Sequence, residues 1–254
     1  PIQRERTTGF PIIQGIKGAL RAFVRNKDTN LEEILFGSEP SSGESESTTP
    51  GSVAFSEAKI LLFPVRNNEK LFVWVTCPLV LSRFLNIAKD EEAQKAVEGL
   101  DLDKDGAIAL FETSNNEIWL EEIAVSKKEV NIEQLRELFE KISPCAPITQ
   151  LKERLKKNIV IVSDELFSKI VETMTEVVPR VRIDEEKGTV KDRGLWYEEY
   201  LPQDTVMYFS VKPISTAPEN DVLKELKKTI NDKLVNIGGK ETVGKGLVWI
   251  KAWE

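Results

Sequence analysis

Residues 179–202 read PRVRIDEEKGTVKDRGLWYEEYLP, with strand-forming side chains on both sides of a charged turn that ends at Gly188. Strand-formers flanking a polar, glycine-bearing turn predict a long β-hairpin, taken here over 179–203. Downstream, TVMYFSV predicts a strand, NDVLKELKKTINDKL a helix with Val222, Leu223, Leu226 and Ile230 on one face, and LVWIKAW a last apolar run. Upstream, AKILLFPV, LFVWVT and NIVIV have strand length, whereas VNIEQLRELFEKI and SDELFSKIVETM have helical spacing. Ser163 stands where it can cap the second of these helices ahead of an acidic first turn. Strands that alternate irregularly with helices and close on β-α-β predict an α+β fold with a mostly antiparallel sheet, read as a single domain over 1–254.

With 254 residues and 41% hydrophobic content, the chain can bury a core of ordinary size. No apolar run approaches the roughly 20 residues of a membrane span and no basic-then-apolar leader opens the chain, so no membrane partner is expected. The first residue is Pro1, which we read as an internal position of a longer natural protein. Cys77 and Cys145 are far apart, each beside a proline, and the chain has no histidine. Zinc-finger chemistry is thereby excluded, as are Ser-His-Asp, Cys-His and histidine-pair nuclease mechanisms within these residues. The cysteine usage points to a reducing compartment. Catalysis would fall to carboxylates, lysine, tyrosine or a metal.

The net charge of −7 is unevenly spread. Lys89 to Glu140 holds 6 basic and 15 acidic residues, inside a segment 85–157 that we read as an acidic, largely helical insertion. The remainder outside Lys89 to Glu140 carries +2. The first 30 residues, with Arg4, Arg6, Lys17, Arg21, Arg25 and Lys27 against Glu5 and Asp28, carry +4. Local fields govern polyanion binding more than the sum does, so an acidic flank beside a basic face is compatible with RNA. Residues 38–52, SEPSSGESESTTPGS, contain only Ser, Glu, Thr, Pro and Gly and are read as a flexible, solvated loop.

Residues 237–247 form a glycine-rich loop, with four glycines and two lysines between Gly238 and Gly246. Gly239, Gly244 and Lys245 have phosphate-loop spacing, but Gly246 stands where a Ser or Thr would carry Mg²⁺, and no capping helix follows. A nucleoside triphosphate site is set aside; a turn between two strands and a cradle for polynucleotide phosphates both stay open. DLDKDGAIALFE, Asp101 to Glu112, satisfies the calcium-loop pattern in full. The segment that leaves it, TSNNEIWLEEIAV, reads as turn and strand where an EF-hand needs a helix. We read an acidic, solvated turn, with a calcium-binding module as an alternative.

Three stretches, in order, resemble one family: PIQRERTTGFPII followed by IKGALR, the 179–202 hairpin, and IGGKETVGKG. AKILLFPVR and TCPLVLSRF fit it too. Together they resemble the RAMP superfamily, specifically the backbone subunit of Cmr-type (type III-B) CRISPR effector complexes, over nearly the whole chain. The resemblance implies a ferredoxin-like (RRM-like) palm with a protruding hairpin thumb. It also implies a cytoplasmic subunit whose copies stack along a CRISPR guide RNA beside other Cmr subunits and cleave complementary target RNA at regular intervals. A non-catalytic guide-RNA scaffold of the same architecture is the alternative.

For individual residues, the resemblance implies that Lys240 and Lys245 contact phosphates where Gly238, Gly239, Gly244 and Gly246 let the backbone come close. It implies that Lys17 and Gly18 bind guide phosphates at a helix N-terminus and that Arg4, Arg6 and Arg21 line the same path. The thumb would displace nucleotides through Arg180, Arg182, Trp196 and Tyr197, freeing a ribose so that its 2′-hydroxyl lines up behind the adjacent phosphorus. Glu198 and Tyr200 match family positions near the cleavage site and would support binding of a divalent ion, Mg or Mn, or proton transfer; no metal ligand is assigned. The family places a catalytic aspartate just ahead of the Pro-Ile-Gln-Arg motif, which here begins at Pro1. GFPIIQGIKGALR is shorter than the family's loop before the lysine.

Overall fold

A computed structural model describes residues 1–38, 49–184, 186, 188–214 and 219–253. Residues 39–48, most of the expected flexible loop at 38–52, lie outside the described residues. In chain order the elements are β1 (Ile12–Ile13), α1 (Ile16–Arg25), α2 (Thr29–Phe36), β2 (Val53–Phe55), β3 (Ala58–Asn67) and β4 (Leu71–Thr76). There follow α3 (Pro78–Ala88), α4 (Glu91–Glu98), β5 (Gly106–Ala109), β6 (Glu117–Leu120), β7 (Ile123–Lys127), α5 (Glu133–Ile142) and α6 (Thr149–Leu155). β8 (Ile159–Val162), α7 (Asp164–Thr173), β9 (Glu176–Ile183), β10 (Val190–Tyr200) and β11 (Val206–Tyr208) lead to β12 (Val211–Pro213), α8 (Glu219–Ile230), β13 (Lys233–Asn236) and β14 (Leu247–Ile250).

Eight strands form one sheet in the order β1-β3-β4-β8-β5-β7-β6, with β11 also paired to β3. The β4–β8 and β5–β7 pairings are parallel and the others antiparallel, so the molecule is a mixed α/β fold. In β8, IVIV is buried at every residue, the continuous apolar pattern of a strand covered on both faces. Segment 85–157 holds strands β5, β6 and β7 as well as helices, and these strands continue the central sheet. It is therefore mixed rather than largely helical; a run as short as GAIA in β5 has no period that separates strand from helix.

Two apolar clusters sit against the strands. The larger gathers Phe84, Leu138, Phe139, Phe167 and Val171 from α3, α5 and α7 onto the sheet; the smaller joins Leu20, Val24, Leu35, Leu226, Val235 and Ile250. Met207 of β11 packs against both. Ser163 caps α7, accepting from the Leu166 amide at 3.3 Å as the sequence predicts, and Asp28 caps α2 at 3.0 Å. Each such cap contributes about 1 kcal/mol.

Strands β9 and β10 pair with each other and with no other strand among the described residues, and most of their side chains are exposed on both faces, the pattern of a hairpin that stands out as a thumb. Its paired base starts at Glu176, before the expected position 179. A bulge separates Val190 from Leu195. Within it, a Cβ on Gly194 would lie 2.7 Å from the Lys191 carbonyl oxygen, so glycine lets the bulged chain cross itself.

Candidate nucleic-acid interface

Alternation along β10 sends Trp196, Glu198 and Tyr200 to one face of the thumb and Leu195, Tyr197 and Glu199 to the other. Across the hairpin, Arg180 lies opposite Trp196, Val178 opposite Glu198, and Glu176 opposite Tyr200. The face bearing Glu198 meets the glycine-rich loop. The Glu198 carboxylate accepts from Lys240 Nζ (2.7 Å), Trp196 Nε1 (3.0 Å), Arg180 Nε (3.1 Å) and the Tyr200 hydroxyl. The Lys240 ammonium above all, then the Tyr200 hydroxyl and the Trp196 indole, hold this carboxyl far below the ordinary carboxylate range. Lys245 adds a second strap, its Nζ 4.3 Å from the Tyr200 ring centroid and 3.4 Å from Glu176 Oε2.

The loop itself joins β13 to β14, which pair antiparallel, so it is a turn between strands that also docks on the thumb. Only a short 3₁₀ turn, Glu241–Val243, lies within it, which confirms that no phosphate-capping helix follows Lys245. Gly246 has φ 75°, and a Cβ there would sit 2.7 Å from the Ile237 carbonyl oxygen; the turn requires glycine at this point.

Glu199, one residue on from Glu198, faces the other way. It accepts from Arg4 Nη2 (2.7 Å), the Ile2 amide (3.0 Å) and Thr175 Oγ1 (3.0 Å). Arg4 also donates to the carbonyls of Gly9 (3.0 Å) and Val171 (2.9 Å). These contacts make Arg4 a clamp that ties the N-terminal segment to α7 and the thumb root. Arg21 is engaged in the same way: its Nε donates to the buried Glu32 and its Nη2 to the Gly37 carbonyl (2.7 Å), while Arg25 shares Glu32 at 3.0 Å. A buried carboxylate without such cations would be costly, so the arginines are committed to it.

Lys17 and Gly18 are exposed in the first turn of α1, whose N-cap, Gly15, makes no side-chain capping bond. That end is therefore open to an anion. The side chains of Arg6, Lys17 and Arg182 are exposed and make no hydrogen bond or ion pair among the described residues. Tyr197, at 65% exposure, shares the second thumb face with the exposed Val177, Val181 and Leu195.

The thumb-base residues do not fit a divalent ion. Both Glu198 oxygens are taken by donors and the nearest charges are positive, contrary to the metal support expected of Glu198 and Tyr200. Among the described residues no group of three or more Cys, Asp or Glu side chains could hold a metal ion. At Asp101–Glu112, Lys128 Nζ lies 2.5 Å from Asp103 Oδ2, and the chain leaves Glu112 toward strand β6 instead of into a helix. No helix among the described residues is long and apolar enough to cross a membrane. Sequence reasoning missed Glu176, Glu199 and Glu32; the strand alternation of WYEEY was the one signal that could have separated Glu199 from Glu198.

The sequence profile of the RAMP superfamily matches residues 1–249. The chain belongs to the RAMP superfamily. This RAMP chain is 39% identical to the CRISPR system Cmr endoribonuclease Cmr4 of Pyrococcus furiosus, over 98% of its own length and 85% of that protein's. The crystal structure of oligomeric Cmr4 from Pyrococcus furiosus superposes with a TM-score of 0.76 at 34% identity, covering 99% of this chain and 90% of that one. A chain of the type III-B Cmr-beta complex bound to cognate target RNA, seen by cryo-electron microscopy, shares the fold at 21% identity, with a TM-score of 0.72 over 99% of this chain and 87% of that one. The residues matched to the RAMP profile take in both the thumb and the glycine-rich loop.

Proposed function

We propose that this RAMP chain is a guide-RNA-binding backbone subunit of a type III-B CRISPR effector complex and that it cleaves complementary target RNA. The observation that carries the reading is the meeting of thumb and glycine-rich loop on one cluster that keeps Arg180, Trp196 and Lys240 accessible to solvent. On this reading the palm is the ferredoxin-like one. Lys240, Lys245 and the open α1 end at Lys17 and Gly18 neutralise guide phosphates without reading sequence, and exposed Arg6 and Arg182 extend the path. The apolar thumb face of Val177, Val181, Leu195 and Tyr197 wedges between nucleotides. Unstacking costs about a few kcal/mol per step, offset by aromatic and apolar contact.

Displacing a nucleotide lets its 2′-hydroxyl reach in-line geometry behind the neighbouring phosphorus. Further copies of the chain would repeat the arrangement along the guide, in the cytoplasm, beside other Cmr subunits. A divalent ion, Mg or Mn, would supply electrostatic stabilisation of the phosphoryl oxygens, but Glu198 is not its ligand in this arrangement.

The committed state of Glu198 favours one second reading, a scaffold of the same architecture that holds guide RNA without cutting. The assembled guide complex, incubated with complementary RNA with and without a chelator, decides between them. Fragments at regular spacing that chelation abolishes support the nuclease, and intact target that remains bound supports the scaffold.

A further inference from the structure

We propose that the thumb-base cluster is a phosphodiester-binding site filled, in the absence of RNA, by the protein's own Glu198 carboxylate, so that RNA binding exchanges an internal anion for a phosphate and releases the glycine-rich loop from the thumb. The inference rests on the RNA path proposed above and adds to it a competitor built into the chain.

Donor convergence is the first support. Arg180 from β9, Trp196 and Tyr200 from β10 and Lys240 from the loop all aim at a single carboxylate. A phosphodiester, with anionic oxygens that accept the same charge-assisted bonds, satisfies such a set of donors. Charge is the second. Arg180 and Lys240 against Glu198 leave the cluster at +1, with Lys245 balanced by Glu176, so one further anion is admitted.

Access is the third. The side chains of Lys240 and Arg180 are 54% and 35% exposed while that of Glu198 is 12% exposed, so a phosphate arriving from solvent meets the cations before the carboxylate beneath them. The loop conformation is the fourth. Lys240 is held at φ 67°, a left-handed conformation that is strained for a residue with a side chain, and Gly238, Gly239 and Gly244 flank it. The ion pair to Glu198 draws the loop onto the thumb, and the glycines allow it to swing away once that pair is exchanged.

The test uses the purified protein and a fluorescein-labelled single-stranded RNA of mixed sequence, with anisotropy read across a potassium chloride series. Glu198→Gln keeps the shape and removes the competing charge. Affinity rises about three- to tenfold near physiological salt, the size expected for freeing cations from one or two exposed ion pairs. The slope of log K against log salt steepens by about 0.7 for each released cation. Glu198→Asp, which draws the charge back by one methylene, shifts affinity the same way by less, and thermal unfolding of each variant checks that it folds. Lys240→Ala weakens binding in the parent and erases the gain in the Glu198→Gln background. Unchanged or weaker binding in Glu198→Gln and Glu198→Asp, while Lys240→Ala still weakens it, overturns the exchange and leaves the RNA path standing. Full affinity in both Lys240→Ala and Arg180→Ala overturns the path itself.

Discussion

Replacing Arg4 by alanine separates a structural clamp from an RNA contact. The guanidinium makes three hydrogen bonds, to Glu199 and to the carbonyls of Gly9 and Val171, with its side chain 21% exposed. Hydrogen bonds involving a charged group contribute about 1.5–3 kcal/mol each, less where solvent reaches them. Truncation leaves Glu199 with the Thr175 hydroxyl and the Ile2 amide but no cation. We take about 2–3 kcal/mol for the whole clamp. At about 2–4 °C per kcal/mol for a chain of this size, that lowers Tm by roughly 4–12 °C in a calorimetric scan at neutral pH.

The pH dependence has a definite sign. Burial pushes the Glu199 carboxyl up, but the Arg4 guanidinium, the Ile2 amide and Thr175 outweigh it and leave the pKa below the ordinary value. A group depressed in the folded state stabilises fully above its unfolded pKa, about 4.3 for glutamate, and loses that contribution as pH falls through the folded value. The Tm gap between parent and Arg4→Ala therefore narrows as pH drops below about 4, because the Glu199 share of the clamp is lost while the bonds to the Gly9 and Val171 carbonyls do not titrate, and the salt slope of RNA binding stays at the parental value. A Tm within about 1 °C of the parent at neutral pH, together with a shallower salt slope, would refute the clamp and return Arg4 to the RNA path.

Lys17→Ala weakens guide binding uniformly across guide sequences and lowers the salt slope by about 0.7, as loss of one single-strand phosphate contact requires; an unchanged slope in an anisotropy series removes Lys17 from the path. Gly246→Ala brings a Cβ to 2.7 Å from the Ile237 carbonyl at φ 75° and costs about 1–3 kcal/mol, read as a Tm lower by several degrees. A parental Tm for this variant would mean that the loop reshapes freely. Glu112→Gln leaves Tm in millimolar calcium unaltered, because Asp103 is already paired with Lys128 and the loop runs on to strand β6 and not to a helix; calcium-dependent stabilisation of the parent that this change abolishes would reinstate the calcium site.

The thumb and the glycine-rich loop were legible because their signals are local: strand-formers around a charged turn, and glycines at positions that need positive φ. Their contact was not legible. Lys240 and Glu198 are 42 residues apart in sequence, Arg4 and Glu199 are 195 apart, and nothing in either stretch specifies the other. For the same reason the partners of Arg4 and Arg21 within the chain were not legible, and the resemblance alone placed both on a phosphate path. An arginine that binds phosphate and one that pairs with a glutamate of its own chain have the same local sequence, and only the position of the half-buried Glu199 or the buried Glu32 in space tells them apart. For Lys17 the open first turn of α1, which makes it a phosphate candidate, is encoded within a few residues of it.

Adjacent glutamates in WYEEY perform opposite tasks because a strand turns each successive side chain to the other face. Glu199 fixes the thumb root to Arg4 and the N-terminal segment, while Glu198 holds the glycine-rich loop. A one-residue slip of β10 against β9 would exchange them, aiming Glu198 at the clamp and Glu199 at the loop, and would also carry Trp196 away from Arg180 to the opposite face. The register of the base is therefore what both sets of contacts depend on. The bulge between Val190 and Leu195, made passable by Gly194, lies between this base and the tip. A bulge takes up an extra residue locally, so irregularity toward the tip is absorbed before it reaches Leu195 and does not re-aim Glu198 or Glu199. The distal thumb can then differ in length or sequence to suit what it meets, while the clamp and the loop contacts stay in place at its root.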